Sequence, residues 1–85
     1  MSEQAEIEAK LMELLEPFNR AGVALTPETR ISSDLNIDSA DVLDFVMEVE
    51  DAYDLDIPMN DLTDVHTVRE LAALVRQRLK ARDRT

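Results

Sequence analysis

Two neighbouring side chains in this sequence have the clearest chemical potential, those of Asp38 and Ser39. They lie in the stretch LNIDSAD (35–41), just before a helical pattern of apolar residues. In one interpretation, Asp38 or Ser39 only caps the free amides at the start of that helix. In the other, the positive end of the helix dipole lies beside an exposed serine hydroxyl, which serves as the attachment point for a phosphate-bearing group. The local spacing alone favours the capping interpretation.

Carboxylates are the second candidate for chemistry, because three side chains match the start of a calcium-binding EF-hand loop. Asp34, Asn36 and Asp38 occupy its first, third and fifth positions. The sixth position, which needs glycine for a sharp turn, is Ser39, and the twelfth, which needs a bidentate glutamate, is Phe45. We therefore expect no specific metal site, only loose binding of divalent ions to an acidic surface.

The remaining candidate is the only histidine, His66, in a chain without cysteine. A lone histidine just before a helix cap is more typical of a loop residue than of a general base. The sequence contains no Gly-x-Ser-x-Gly nucleophile elbow, and a chain of 85 residues has little capacity to enclose a substrate pocket. We expect a protein that is not an enzyme and that imports any thiol chemistry.

Charge is distributed unevenly along the chain, whose formal net charge is −10. Residues 31–68 include eleven acidic side chains and neither lysine nor arginine, whereas the last seventeen residues include six lysine or arginine side chains and only two acidic ones. An acidic run is ordinarily a solvated helix face. Its concentration around one predicted helix also favours a docking surface for basic partners, and it argues against nucleic acid, whose phosphates need the opposite charge.

The location of the protein is predicted from two absences in the sequence. The first ten residues lack the basic and apolar regions of a signal peptide, and the longest apolar run, Leu71–Val75, is far too short to span a bilayer. We expect a cytoplasmic protein that does not insert into membranes and that is a monomer or a small assembly.

Helical periodicity is clear in three stretches, residues 7–18, 42–53 and 68–79. Pro17 ends or kinks the first helix, the second begins near Asp38–Ser39, and Thr67 with Glu70 forms a capping box before the third. Residues 59–65 could add one or two turns, as could the stretch TPET (26–29). The sequence predicts an all-α fold, a small bundle of three main helices plus one short helix. It forms a single domain over residues 1–85, with an ordered core at about 3–80.

From about residue 26 to 79 the sequence resembles the acyl carrier proteins, whose hallmark is an Asp-Ser-Leu motif before an acidic, apolar-striped helix. Asp38 and Ser39 match the first two residues of that motif. Four further stretches match the family. TPET (26–29) resembles the loop helix, and DL (34–35) resembles the lead into the motif. DIP (56–58) resembles the turn after the second helix, and TV (67–68) resembles the start of the last helix.

The resemblance implies that Ser39 is the attachment point for 4′-phosphopantetheine, transferred from coenzyme A by a phosphopantetheinyl transferase. Asp38 matches the aspartate that family members present alongside magnesium during this modification. The arm would supply the missing thiol and carry acyl groups as thioesters to partner enzymes with basic docking patches. The cargo stays open among fatty, polyketide, hydroxyacyl, aminoacyl and lipid-modifying groups.

The resemblance also assigns two surfaces of the second helix. The residues expected to meet partners are Ala40, Asp41, Leu43, Asp44, Met47, Glu48 and Asp51. The residues expected to shelter an acyl chain are Phe45, Val46, Val49, Ile57 and Leu62.

Two residues depart from the pattern of the family, Ala40 in place of the usual leucine and Asn36 in place of the usual glycine. The shorter Ala40 side chain would weaken apolar contacts with standard partners, which favours a specialised carrier. The alternative function is an acidic helical interaction module that uses the same surface without an arm.

Overall fold

The computed structural model of the protein describes residues 2–83, which form four α-helices and one short 3-10 helix. The α-helices are α1 (Glu3–Leu15), α2 (Ser39–Tyr53), α3 (Met59–Leu62) and α4 (Val68–Asp83), and the 3-10 helix is Glu16–Phe18. The predicted all-α class, with three main helices and one short helix, is confirmed. In this part of the chain, β pairing is confined to an isolated bridge between Arg30 and Thr67.

The helix ends follow from local hydrogen bonding. The Ser2 side chain caps α1 by accepting the Ala5 N–H at 3.0 Å, and Pro17 lies in the 3-10 turn that ends this helix. Before α4, the Glu70 N–H donates to Thr67 Oγ1 at 3.2 Å, and the Thr67 N–H donates to Glu70 Oε1 at 3.0 Å. This is the capping box that the sequence predicts.

The connection between α1 and α2 contains a turn at residues 26–29 and no further helix. Its backbone carbonyls are engaged elsewhere, because the Pro27 and Thr29 oxygens accept the N–H groups of Arg69 and Val68 at 2.8 and 3.1 Å. These two amides are among the donors that the first turn of α4 cannot satisfy internally. The connection thus caps α4, which is the physical reason that the TPET stretch does not continue as a helix.

One hydrophobic core joins the three long helices and this connection. Leu11, Phe45, Val49 and Val75 are completely buried, and Leu35 secures the connection between them. The ring of Phe18 packs edge-on against Phe45, with centroids 6.1 Å apart. The fully or nearly fully buried apolar side chains are Ile7, Leu11, Leu15, Ile31, Leu35, Ile37, Phe45, Val46, Val49, Ile57, Val68, Leu71, Ala72 and Val75.

Arginines of α4 connect that helix to its neighbours. Arg76 pairs with Glu3 of α1 at 3.0 Å, and Arg78 pairs with Asp61 of α3. Arg82 donates to the carbonyl oxygens of Tyr53 and Asp54 at the end of α2, both at 2.9 Å. Arg76, Arg78 and Arg82 therefore bind carboxylates of α1 and α3 and backbone carbonyls at the end of α2.

The short helix α3 has less support than the other helices. None of its four residues is fully buried, and Pro58 before it provides no side-chain cap. Its half-buried residues are Asp61, which pairs with Arg78, and Leu62, which packs on the core. No helix in residues 2–83 is long and apolar enough to cross a membrane.

Candidate functional site

Ser39 is the first residue of α2, and its side chain is exposed. Asp38 caps the helix, since its Oδ1 atom accepts the Asp41 N–H at 3.0 Å. The Ser39 hydroxyl has no hydrogen-bond partner within residues 2–83. Capping is therefore performed by Asp38, and the serine hydroxyl is left available at the positive end of the α2 dipole.

The backbone before this site contains one residue in the left-handed region, Asn36 with φ 55°. Asparagine is among the few non-glycine residues that adopt this conformation without a large cost. The next residue, Ile37, is buried and donates its N–H to the Ser32 oxygen at 3.3 Å. Asn36 thus makes the turn that leads the chain into Asp38.

A cavity of about 320 Å³ lies beside Ser39, between α2, the connection before α2, Leu62 of α3 and the first part of α4 with the segment before it. Ser39 contributes to its lining, so an attached group would begin at its edge. The apolar part of the lining comprises Ile31, Ile37, Val42, Phe45, Val46, Leu62, Val65 and Leu71. The remaining lining residues are polar or basic in type, namely Arg30, Ser32, Ser33, Ser39 and His66.

The structure places the five predicted cavity residues in two groups. Phe45, Val46 and Leu62 line the cavity. Val49 and Ile57 are buried in the core and are not among the residues that line it. Both lie on the apolar side of their segments, where periodicity alone does not distinguish a cavity wall from solid core.

Sequence reasoning missed the polar part of the lining. Ser32 and Ser33 lie in the loop before α2, and Arg30 and His66 flank the helical patterns. No periodic signal marks residues in such loops. The only available signal is the position of His66 immediately before the capping box, which is more typical of a loop or capping residue than of a general base.

The outward face of α2 combines apolar and acidic side chains. Leu43 is 37% exposed and Met47 59% exposed, and Asp44, Glu48 and Asp51 are exposed around them. The structure adds one further apolar residue, since Met59 at the start of α3 is 66% exposed. No sequence pattern identified Met59, because α3 is too short to show a periodicity.

Two of the predicted partner residues beside Ser39 differ in accessibility. Ala40 is exposed and follows Ser39 directly. The Asp41 side chain is only 17% exposed, and its carboxylate pairs with Arg20 at 3.3 Å. The Asp41 charge is therefore partly neutralised within the protein, unlike the charges of Asp44 and Glu48.

Glu70 fixes a negative charge at the start of α4. Its Oε1 atom accepts the N–H groups of His66 and Thr67 at 2.9 and 3.0 Å. These two backbone hydrogen bonds lower the pKa of Glu70 below its ordinary value, because they stabilise the ionised form. No group of three or more histidine, cysteine, aspartate or glutamate side chains within residues 2–83 could hold a metal ion.

Comparison with known proteins identifies the family. A family model described as "Phosphopantetheine attachment site" matches residues 6–75. The chain is also 34% identical over 70 residues to the acyl carrier protein of Syntrophobacter fumaroxidans, an alignment that covers 79% of this chain and 84% of that protein. The chain belongs to the acyl carrier protein family. The acyl carrier protein of Rickettsia typhi is 32% identical over 79 residues, with 92% of each chain covered.

Membership of the acyl carrier protein family confirms two predictions. The prosthetic group is a covalently attached 4′-phosphopantetheine, and the protein is a carrier rather than an enzyme. Its partners include a phosphopantetheinyl transferase and acyl-handling enzymes. The site fits such a group, because an exposed serine hydroxyl without a hydrogen-bond partner stands at the edge of a largely apolar cavity.

Proposed function

We propose that Ser39 carries the 4′-phosphopantetheine arm and that the protein presents acyl groups on this arm to partner enzymes. The observation that carries the proposal is the Ser39 hydroxyl, which is exposed and has no hydrogen-bond partner within residues 2–83. Asp38 performs the capping that would otherwise occupy a serine at this position. The arm supplies a thiol, which a chain without cysteine lacks, and thus permits acyl groups to travel as thioesters.

Asp38 has a second role in this proposal. Its Oδ1 atom accepts the Asp41 N–H, and its Oδ2 atom has no hydrogen-bond partner within residues 2–83. A carboxylate oxygen next to Ser39 is suited to a magnesium ion brought by the transferase together with coenzyme A. Asp38 would then orient the modification reaction without forming a metal site of its own.

The exposed face of α2 is the proposed docking surface. Leu43 and Met47 provide apolar contact, and Asp44, Glu48 and Asp51 provide charge that is not neutralised by the α4 arginines. Charge of this kind raises the rate of encounter with basic enzymes more than it tightens the complex. Such a surface suits a monomeric carrier that must bind each enzyme and leave it again.

The cavity is the proposed shelter for the acyl chain. Phe45 and Val46 of α2 and Leu62 of α3 form apolar walls, so an acyl chain carried at the end of the arm on Ser39 can be removed from water. Val49 and Ile57 support these walls from the core. A cytoplasmic location and a single domain over residues 1–85 stay predictions from the sequence.

The proposal is tested by the intact mass of the protein after incubation with coenzyme A, magnesium and a broad-specificity phosphopantetheinyl transferase. The parent should gain one phosphopantetheine group, and Ser39→Ala should gain none. Ser33→Ala is the matched control, because Ser33 is another exposed serine that lines the same cavity. This control should be modified as fully as the parent.

Two outcomes would contradict the proposal. Modification of Ser39→Ala would place the arm on another residue. An unmodified parent, under conditions that modify a control carrier, would favour a docking module without an arm, and the mass of the protein from its native host would then decide. A dedicated transferase that tolerates Ala40 would give the modified mass in the host.

A further inference from the structure

The cavity beside Ser39 differs in charge from the molecule around it. None of its thirteen lining residues is aspartate or glutamate, although residues 31–68 include eleven acidic side chains. Two of the lining residues, Arg30 and His66, are instead of the basic types. An anionic group in this cavity, near the proposed attachment site, would therefore meet basic side chains and no carboxylate of the lining.

Arg30 and His66 stand on two adjacent backbone segments. The Ile31 N–H donates to the His66 oxygen at 2.9 Å, and Arg30 forms the isolated β-bridge with Thr67. Both side chains are exposed, so they form a polar rim of the cavity rather than part of its apolar wall. The backbone pairing fixes the two residues beside each other.

The Arg30 guanidinium is not engaged with another group of the protein. Arg20, Arg69, Arg76 and Arg78 each form an ion pair with a carboxylate. Arg30 forms no side-chain hydrogen bond or ion pair within residues 2–83. Its contact with Asp34 is made by the backbone N–H, at 2.9 Å from Oδ2. Five donors on a permanently charged group are thus available at the cavity rim.

The dimensions of the cavity limit what it can hold. Its volume of about 320 Å³ is at the lower end of the range of about 300–1,000 Å³ for small-molecule sites. Ser39 and Val46 both line it and are seven residues apart on α2, which corresponds to about 10 Å along the helix. Along this wall the lining is apolar at Val42, Phe45 and Val46, and the lining also includes the basic residues Arg30 and His66.

We propose that this carrier is adapted to an acyl chain of short to intermediate length that ends in a carboxylate. The methylene groups would lie against Val42, Phe45 and Val46, and the terminal carboxylate would pair with Arg30, with His66 beside it. A saturated alkyl end would leave the guanidinium without a partner and gain nothing from the rim. This inference rests on the proposed attachment of the arm at Ser39.

The test compares two cargoes that contain the same number of carbon atoms. Octanoyl-coenzyme A and its ω-carboxy counterpart, suberoyl-coenzyme A, are used to load the parent through a phosphopantetheinyl transferase, and intact mass confirms the loading. Thermal unfolding then gives the Tm of each form. The suberoyl form of the parent should melt about 4 °C above the octanoyl form, as expected when a small domain gains one ion pair of this kind.

Three variants separate the role of Arg30 from a general effect of charge. In Arg30→Met the suberoyl form should melt below the octanoyl form. The suberoyl carboxylate then adds negative charge to a chain of net charge −10 and gains no partner. Arg30→Lys should keep the parental order. Lys80→Met is the matched control, since Lys80 is an exposed cation that does not line this cavity, and it should also keep the parental order.

The outcomes distinguish failure of this inference from failure of the proposed function. A suberoyl form that melts at or below the octanoyl form in the parent would overturn the inference, as would an unchanged difference in Arg30→Met. A pairing of Arg30 with the phosphate of the arm would shift both loaded forms of Arg30→Met equally, and the difference between them would stay parental. Absence of loading at Ser39 would overturn the proposed function first, and this inference with it.

Discussion

Replacing Asp38 by alanine or by asparagine should separate its capping role from the role of its charge. Alanine removes the acceptor of the Asp41 N–H, a 3.0 Å hydrogen bond at the start of α2. Loss of an N-cap acceptor costs about 1 kcal/mol, within a range of about 0.5–2 kcal/mol. For a domain of this size, that corresponds to a decrease in Tm of about 4–8 °C. Asparagine caps as well as aspartate does, so Asp38→Asn should unfold close to the parental Tm.

The two variants should behave differently in the modification reaction. Asp38→Asn retains the fold but loses the carboxylate that we propose to orient magnesium, and its rate of phosphopantetheine transfer should fall about tenfold or more. Initial rates are measured by intact mass at saturating coenzyme A, with the Tm of each variant recorded in the same buffer. An Asp38→Ala variant as stable as the parent would refute the capping argument. Parental rates for Asp38→Asn would refute the argument from charge.

Two further predictions concern the turns before α2 and α4. Asn36→Ala should lower the free energy of unfolding by about 1–2 kcal/mol, because alanine tolerates a φ of 55° poorly. Asn36→Gly should not lower it. Urea unfolding of both variants checks this prediction. The folded-state pKa of Glu70 is lowered, so its stabilising effect is fully present above the ordinary value of 4.5 and is lost as the pH falls through the lowered value. Glu70→Gln should therefore flatten the fall in Tm below pH 4.5, and an unchanged acid profile would contradict this reasoning.

The three long helices were predictable from the sequence because each one has both a periodic apolar face and a terminal signal. Pro17 marks the end of α1, and the pair Thr67 and Glu70 marks the start of α4. The start of α2 near Asp38 was also correct, but the sequence could not decide whether Asp38 or Ser39 makes the cap. That choice depends on side-chain orientation, which spacing does not determine.

The candidate site was predictable only where it lies on a helix. Phe45 and Val46 belong to the periodic face of α2, and both line the cavity. Arg30 and His66 line it as well, although 35 positions separate them in sequence, because a backbone pairing across the bundle brings their segments together. Such a pairing between two irregular segments has no signature in the sequence, so the basic rim could be found only in the structure.

The weak support of α3 has a consequence for how the cavity adapts to its contents. A four-residue helix is not stable on its own, and α3 has no fully buried residue and no side-chain cap. Local opening of this segment therefore costs less free energy than unfolding of the bundle formed by α1, α2 and α4. Because Leu62 forms part of the cavity wall, that wall can open and close while the rest of the protein stays folded. Under the proposed function, acyl chains of different lengths would then enter and leave on the timescale of local fluctuations, without global unfolding of the carrier.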